Sequence, residues 1–352
     1  MRTVGSPILI DGAHGEGGSA LFRTALALAA ITQQPVRIDS VRGGTKLQGL
    51  TLEDLTVTKA IGQSCSAEIS GAQLGSTTLS FWPSHRPKGL KVDLDASDSD
   101  GRGFANAQVI LNALIPVLAG TGVYSSLTVF GETFGLGALG YDSFANVTLK
   151  AYRALGIYAF PELRHAGWGR FGKGEVFLDL EPSRASGFSA PERSELKLLR
   201  AIITTSDLSS HVGTRAISHL QRLASHAGSE IDVTVNQVSA DDPGAFVTVW
   251  GEYSSGVGGG AAMGQKGIRI ESVAQQAFQQ WMDYHQSKST LDPYVADQIL
   301  VGCALAEGET EFSVMKLTDR FLTMVWVIKQ FLPIHLTVKG VVGGPGIVKI
   351  RR

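Results

Sequence analysis

The sequence predicts a mixed fold of the α+β/α/β class. Three repeated βαβαββ units each lay two helices on a four-stranded sheet, and a small βαββ domain is inserted between the second and third. Three observations carry this reading. Strand-like and helix-like apolar patterns recur in one order from Ile8, from Leu90 and again toward the C-terminus. One stretch, 184–268, interrupts the recurrence. The 352 residues include 42 glycines without a collagen-like period, which suits many tight turns and close backbone approaches.

The first unit opens with a strand at Ile8–Asp11 and continues into a helix over about 17–32, where SALFRTALALAA is dominated by good helix formers. A strand in PVRIDSVRGG, a helix over about 50–63 and strands in AEISG and TTLSFWP complete it. The second unit reads strand LKVDLD, helix NAQVILNALIPVLAG, strand SSLTVFGET, helix YDSFANVTLKAYRALG, then strands IYAFPEL and GEVFLDLEP. The third reads helix YVADQILVGCALA, strand TEFSVMKL, helix RFLTMVWVIKQFL and strands IHLTVKG and GIVKIRR. The inserted segment opens in turn-rich PSRASGFSAPERS. It then reads strand ELKLLRAIITT, helix HVGTRAISHLQRLASHAG and strands EIDVTVNQVS and AFVTVWGEY. It closes in SSGVGGGAAMGQKG, whose glycines permit hinges or left-handed turns. The expected large domain is therefore 1–183 with 269–352, and the small domain 184–268.

A net charge of −1 argues against a protein that coats nucleic acid through a global basic excess and leaves room only for a local basic patch. Cys65 and Cys303, in segments that read as sheet and helix, are expected as buried thiols. The N-terminus lacks a basic, apolar, cleavable signal, and no apolar run approaches the roughly 20 residues of a membrane span. The expectation is a cytoplasmic protein with no membrane partner.

DGAHGEGG sets Glu16 among glycines at the mouth of a helix, where backbone N–H groups and the helix dipole favour an anion. It matches neither GxGxxG nor GxxxxGK[ST]. VRGGTKLQG adds Arg42 and Lys46 beside two glycines, and Arg23 lies one to two turns into the preceding helix. Together these cations suit a phosphate. None of the eight histidines forms HxxxH or HExxH, which argues against zinc catalysis. His211, His219 and His226 read as a surface stripe and His335 as structural, whereas His14 sits in the glycine loop.

Taken in order, DGAHGEGG, SVRGG followed by GLTLEDLTVTKA, AGWGRFGKGEV, HVGTR, GQKG, YVADQILVGCALA and KQFLP make the chain resemble the RNA 3′-terminal phosphate cyclase family. The resemblance implies use of ATP with Mg2+ or Mn2+, an RNA 3′ end as partner, and AMP carried on a histidine before transfer to a 3′-phosphate. It implies that Glu16 faces ATP and metal, that Arg23 and Arg42 contact phosphate, and that Asp297 and Gln298 lie on the nucleotide side. Several positions depart from the family pattern: Ala20 replaces a glutamine, Thr45 an arginine and Glu53 another glutamine. Arg320 stands where the adenylylated histidine belongs. A protonated guanidinium has no lone pair with which to attack phosphorus. The expectation is a cyclase-like protein that binds RNA ends or a nucleotide without histidine-AMP chemistry. The alternative is an active ATP-dependent cyclase or related nucleotidyl transferase with Lys316 or His14 as nucleophile.

Overall fold

The computed structural model describes residues 6–352 as four four-stranded mixed sheets with their helices. The chain begins β1 (Ile8–Asp11), α1 (Ser19–Thr32), β2 (Val36–Asp39), α2 (Leu52–Cys65), β3 (Glu68–Ser70) and β4 (Leu79–Trp82). These strands pair in the order β1-β2-β4-β3, the first pair parallel and the others antiparallel. A parallel pair needs a crossover between its strands, and α1 supplies it.

Next come β5 (Lys91–Asp95), α3 (Ala107–Ala119) and β6 (Ser125–Gly131). A helical stretch follows, made of α4 (Tyr141–Ser143), a π-turn (Phe144–Thr148) and α5 (Leu149–Ala154), and then β7 (Ala159–His165) and β8 (Gly174–Leu180). Their sheet runs β5-β6-β8-β7 with the same parallel and antiparallel senses. The two-residue β9 (Ser189–Ala190) precedes a separate set: β10 (Leu196–Ser206), α6 (Ser210–His226), β11 (Ile231–Gln237), β12 (Gly244–Tyr253), β13 (Gly259–Met263) and α7 (Ile270–Ser287). The chain ends with α8 (Pro293–Leu305), β14 (Glu309–Val314), α9 (Asp319–Phe331), β15 (His335–Gly340) and β16 (Gly346–Arg351). Here the sheet is β15-β16-β14-β9, so β9 pairs parallel to β14 across the whole intervening segment.

One hydrophobic core joins α1, α2, α3, α8 and α9 to the first, second and last sheets. In α1, Leu21, Phe22 and every residue from Thr24 to Ala30 are buried, so this helix is enclosed on nearly all sides rather than striped. A second core, from Leu199 to Tyr284, belongs to the β11-β10-β12-β13 sheet and its helices α6 and α7. Two expectations therefore change. The inserted set begins after β9, which pairs into a sheet of the large core, and it extends past 268 to include α7. The glycine-rich close of the insert, expected to permit hinges or left-handed turns, has positive φ at Gly256 and Gly267, and between them it holds strand β13. Gly260 shows why: a Cβ there would lie 2.2 Å from the carbonyl oxygen of Ala277, so the bare strand lets α7 come down onto the sheet. Cys65 ends a helix rather than a strand, and it is buried, as is Cys303. Among the described residues no helix is long and apolar enough to cross a membrane.

Candidate functional site

The loop after β1 needs its glycines. Gly15 and Gly17 have φ of +61° and +60°, and a Cβ on Gly17 would sit 2.7 Å from the backbone nitrogen of Gly44. The two loops that follow β1 and β2 are thereby pressed together, with Gly44 N–H donating to the Gly17 carbonyl at 3.2 Å. Replacing Gly17 by alanine combines left-handed strain with this clash. We expect Gly17→Ala to lower stability by about 2 kcal/mol or more, measured by chemical denaturation. A change within error would mean that the loops part freely.

Helix α9 docks on the same loop from the far end of the chain. Thr323 Oγ1 accepts the Glu16 N–H at 2.9 Å and donates to the Asp319 carbonyl. Thr318 caps the helix by accepting from Phe321 N–H, and its hydroxyl faces Asp297 Oδ1 at 3.4 Å. This docking brings the Arg320 guanidinium to Glu16 Oε1 at 3.4 Å, while Glu16 Oε2 is buried without a hydrogen-bond partner.

Beside this pair opens a cleft of about 800 Å³ between the two cores, reaching from Ser19, Arg23, Glu53 and Asn106 to Phe246, Gly259–Met263 and Gln280. Its wall collects helix starts: Ser19 and Ala20 open α1, Thr51 caps α2, Asn106 caps α3, Asp292 caps α8, and Arg320 lies in the first turn of α9. The positive ends of several helix dipoles thus lie at its wall, which favours an anion although the chain as a whole carries a net charge of −1. Arg23 is held in this wall by Asp54, whose Oδ1 accepts from its guanidinium at 3.0 Å and whose Oδ2 accepts from Ser19 Oγ at 2.7 Å.

Carboxyl groups stand among these dipoles. Burial pushes Asp297 up to about 7; nearby Arg320 opposes the shift and Glu16 adds to it. Burial likewise raises Glu132 to about 7, helped by Glu53 and opposed by Arg170. Near neutrality both groups lie at the edge of ionisation.

Of the residues expected from sequence, Arg23, Asp297, Gln298 and Arg320 line the cleft, and Glu16 joins them through Arg320. The Gln298 amide oxygen is already occupied by the Thr148 hydroxyl at 2.7 Å. Arg42 and Lys46 lie outside the lining, on the loop that backs the glycine turn. Arg42 has φ +56° with its guanidinium 3.5 Å from the Gly49 carbonyl, and Lys46 is exposed. His14 stacks on Trp326 with ring centroids 3.8 Å apart, and Lys316 is exposed between β14 and α9; neither lines the cleft. Sequence reasoning missed Glu132, Asn106 and Thr148. Glu132 carried a signal, since GETFGLG sets a lone carboxylate in a glycine-rich turn after a strand, as DGAHGEGG does.

A family profile described as RNA 3′-terminal phosphate cyclase matches residues 14–338. Among curated relatives, the RNA 3′-terminal phosphate cyclase of Methylococcus capsulatus is 32% identical over 97% of this chain and 95% of its own length. That of Nostoc punctiforme is 32% identical over 92% of this chain and 94% of its own length. The enzyme of the same name from Thermococcus onnurineus is 31% identical over 98% of this chain and 99% of its own length. On these matches, which run almost end to end, the chain belongs to the RNA 3′-terminal phosphate cyclase family.

Proposed function

We propose that this protein binds a phosphate-bearing ligand, an RNA 3′ end or a nucleotide such as ATP, in the cleft between its two cores, and that it does so without passing AMP through a histidine. The observation that carries the reading is the Arg320–Glu16 contact at the start of α9. The resemblance expects a nucleophile there, and the chain has a cation already engaged with the glycine-loop carboxylate. Phosphate oxygens entering the cleft would meet Arg23, Arg320 and the N-termini of several helices. We read the three sheets of the large core as copies of one βαβαββ unit, a reading supported by their common strand order.

ATP, where bound, brings an activated α-phosphate; the residues of this chain then hold and orient it. Among the described residues no cluster of three metal-ligating side chains forms a cage. The partnerless Glu16 Oε2 nevertheless fits Mg2+ or Mn2+, which commonly take one or two carboxylates and complete their shell with water and phosphate oxygens. Glu16 would be the ligand and Asp297 its neighbour. The ion would neutralise phosphate charge.

The test is incubation with α-labelled ATP and magnesium or manganese, followed by separation of protein-bound label. The native protein should bind ATP and retain no covalent AMP. Acid-labile, alkali-stable label on the native chain would overturn the reading and favour a nitrogen nucleophile, with Lys316 and His14 the residues to replace next. We expect Arg320→His to gain label if the remaining pocket still aligns the α-phosphate. Its continued silence would assign the loss of chemistry to Ala20, Thr45 and Glu53 as well.

A further inference from the structure

The loop 167–174 stands next to the cleft and contributes no residue to its lining, although the charge of Arg170 reaches Glu132. Its stem is firmly tied. Gly167 accepts from the N–H groups of Thr133 and Phe134 at 3.1 and 3.0 Å, and Gly169 N–H donates back to the Phe134 carbonyl at 2.7 Å. Trp168 stacks on Phe134 at 4.7 Å and donates its indole N–H to Ser206 Oγ at 2.7 Å. Phe104 N–H donates to the Arg170 carbonyl at 2.7 Å. The partners are cleft neighbours: Glu132, Leu136 and Asn106, all in the lining, flank Phe134 and Phe104 in the chain.

The tip of this fixed stem is unlike an ordinary surface turn. Phe171 is 72% exposed, with the Arg170 guanidinium 5.3 Å from its ring centroid. Lys173 follows, its ammonium 5.6 Å from the Phe130 ring, and Arg102 lies exposed on the adjoining loop. The nearest acid on that loop, Asp98, is taken up by the N–H groups of Arg102 and Gly103 at 2.9 Å each, while Asp100 stays in solvent. An aromatic face flanked by cations on a rigid stem matches a base flanked by phosphates. Stacking is indifferent to base identity, and the cations follow the backbone.

We propose that this loop is a stacking platform for the single-stranded RNA leading to a 3′ end held in the cleft, with Phe171 taking a base and Arg170 and Lys173 the neighbouring phosphates. The proposal rests on the cleft as a site for phosphate-bearing ends, and it adds a contact remote from the terminal phosphate.

The experiment uses the full chain and 3′-phosphorylated ribonucleotides from mononucleotide to octamer, with dissociation constants measured by competition. For the native protein, affinity should rise with length, on the order of tenfold once a base can reach the platform. Phe171→Ala should abolish that rise and leave mononucleotide binding unchanged, whereas Phe171→Trp should restore it and show indole quenching on octamer binding. Equal length dependence in the native protein and Phe171→Ala overturns the platform while the cleft reading stands. So does an equal loss for mononucleotide and octamer, which would mean that the loop acts on the cleft itself. A native protein that binds mononucleotide but gains nothing with length also overturns it and turns attention to a protein partner for the exposed phenylalanine. No binding of either ligand removes the cleft reading as well.

Discussion

Asp54→Ala should be among the most damaging single substitutions in the first unit, lowering stability by about 3 to 5 kcal/mol. Asp54 is fully buried, and one carboxylate serves three donors: the Arg23 guanidinium at 3.0 Å, Ser19 Oγ at 2.7 Å and the Thr51 N–H at 3.3 Å. It also closes a capping box at the start of α2 by donating its own N–H to Thr51 Oγ1. Alanine leaves the guanidinium, whose side chain is only 21% exposed, without its counter-charge. The loss is therefore a partly buried cation left without its counter-charge plus the side-chain half of the capping box, the Thr51 N–H being left without its acceptor, not one hydrogen bond. Asp54→Asn keeps the shape and an acceptor and should fall between alanine and the native residue. A useful contrast is Glu271→Ala, which breaks a pair with Arg215 of similar length, 2.6 Å, but between side chains 51% and 31% exposed. Solvent screens that pair, and its loss should move the denaturation midpoint little. Comparable losses at the two positions would contradict this account. The Asp54 variant should also bind anions weakly, because Arg23 no longer holds its place in the cleft wall.

TLED carries the local signal of the capping box at Thr51 and Asp54, on which the helix expected over about 50–63 did not draw, whereas the Arg23 and Ser19 contacts join two helices through tertiary packing and carry no local signal. The same division runs through the fold. Helices α1, α3 and α9 were readable because each is a long apolar run with clear ends. Strand β13 was hidden, since glycine and alanine leave no alternation to read and their purpose is to admit α7. Strand β9 is two residues long and makes sense only beside β14, more than a hundred positions away. The π-turn at Phe144–Thr148 lies inside a segment whose pattern reads as one continuous helix.

The site divides likewise. Glu16 stood out through its glycines, which are local chemistry. Its partnership with Arg320 spans 304 positions and depends on Thr323 docking α9 onto the loop. The gathering of several helix starts around one cleft follows from how the units pack, so no single segment announces it.

Sulfate should bind the cleft most tightly on the acid side of neutrality and lose on the order of tenfold in affinity between about pH 6 and pH 8. Sulfate keeps its charge throughout this window and the arginines keep theirs, so the titrating groups belong to the cleft. Asp297 and Glu132 are both raised to about 7, first of all by burial, and both face the space an anion would fill. Below that value they are neutral and leave the helix dipoles and arginines unopposed. Above it two carboxylates repel the ligand. Stability carries the same sign. A carboxyl whose folded-state pKa is raised contributes fully below the unfolded value of about 4, and the contribution is lost as pH rises through the folded value. The native protein should therefore become less stable as pH climbs toward about 7. Asp297→Asn retains an acceptor for Thr318 but cannot ionise, so it should flatten part of both profiles, and adding Glu132→Gln should flatten more. Comparing each variant with its parent cancels Asp142, which burial raises to about 6 outside the cleft lining; Asp292, raised to about 6 by burial within it, is coupled to Asp297 and leaves a residual slope. Affinity measured by calorimetry and melting temperature measured across the same buffers give two independent slopes. If the doubly substituted protein keeps the native pH dependence in both, the anion is held elsewhere than beside these carboxyls, and the helix starts lining the cleft are not what attracts it.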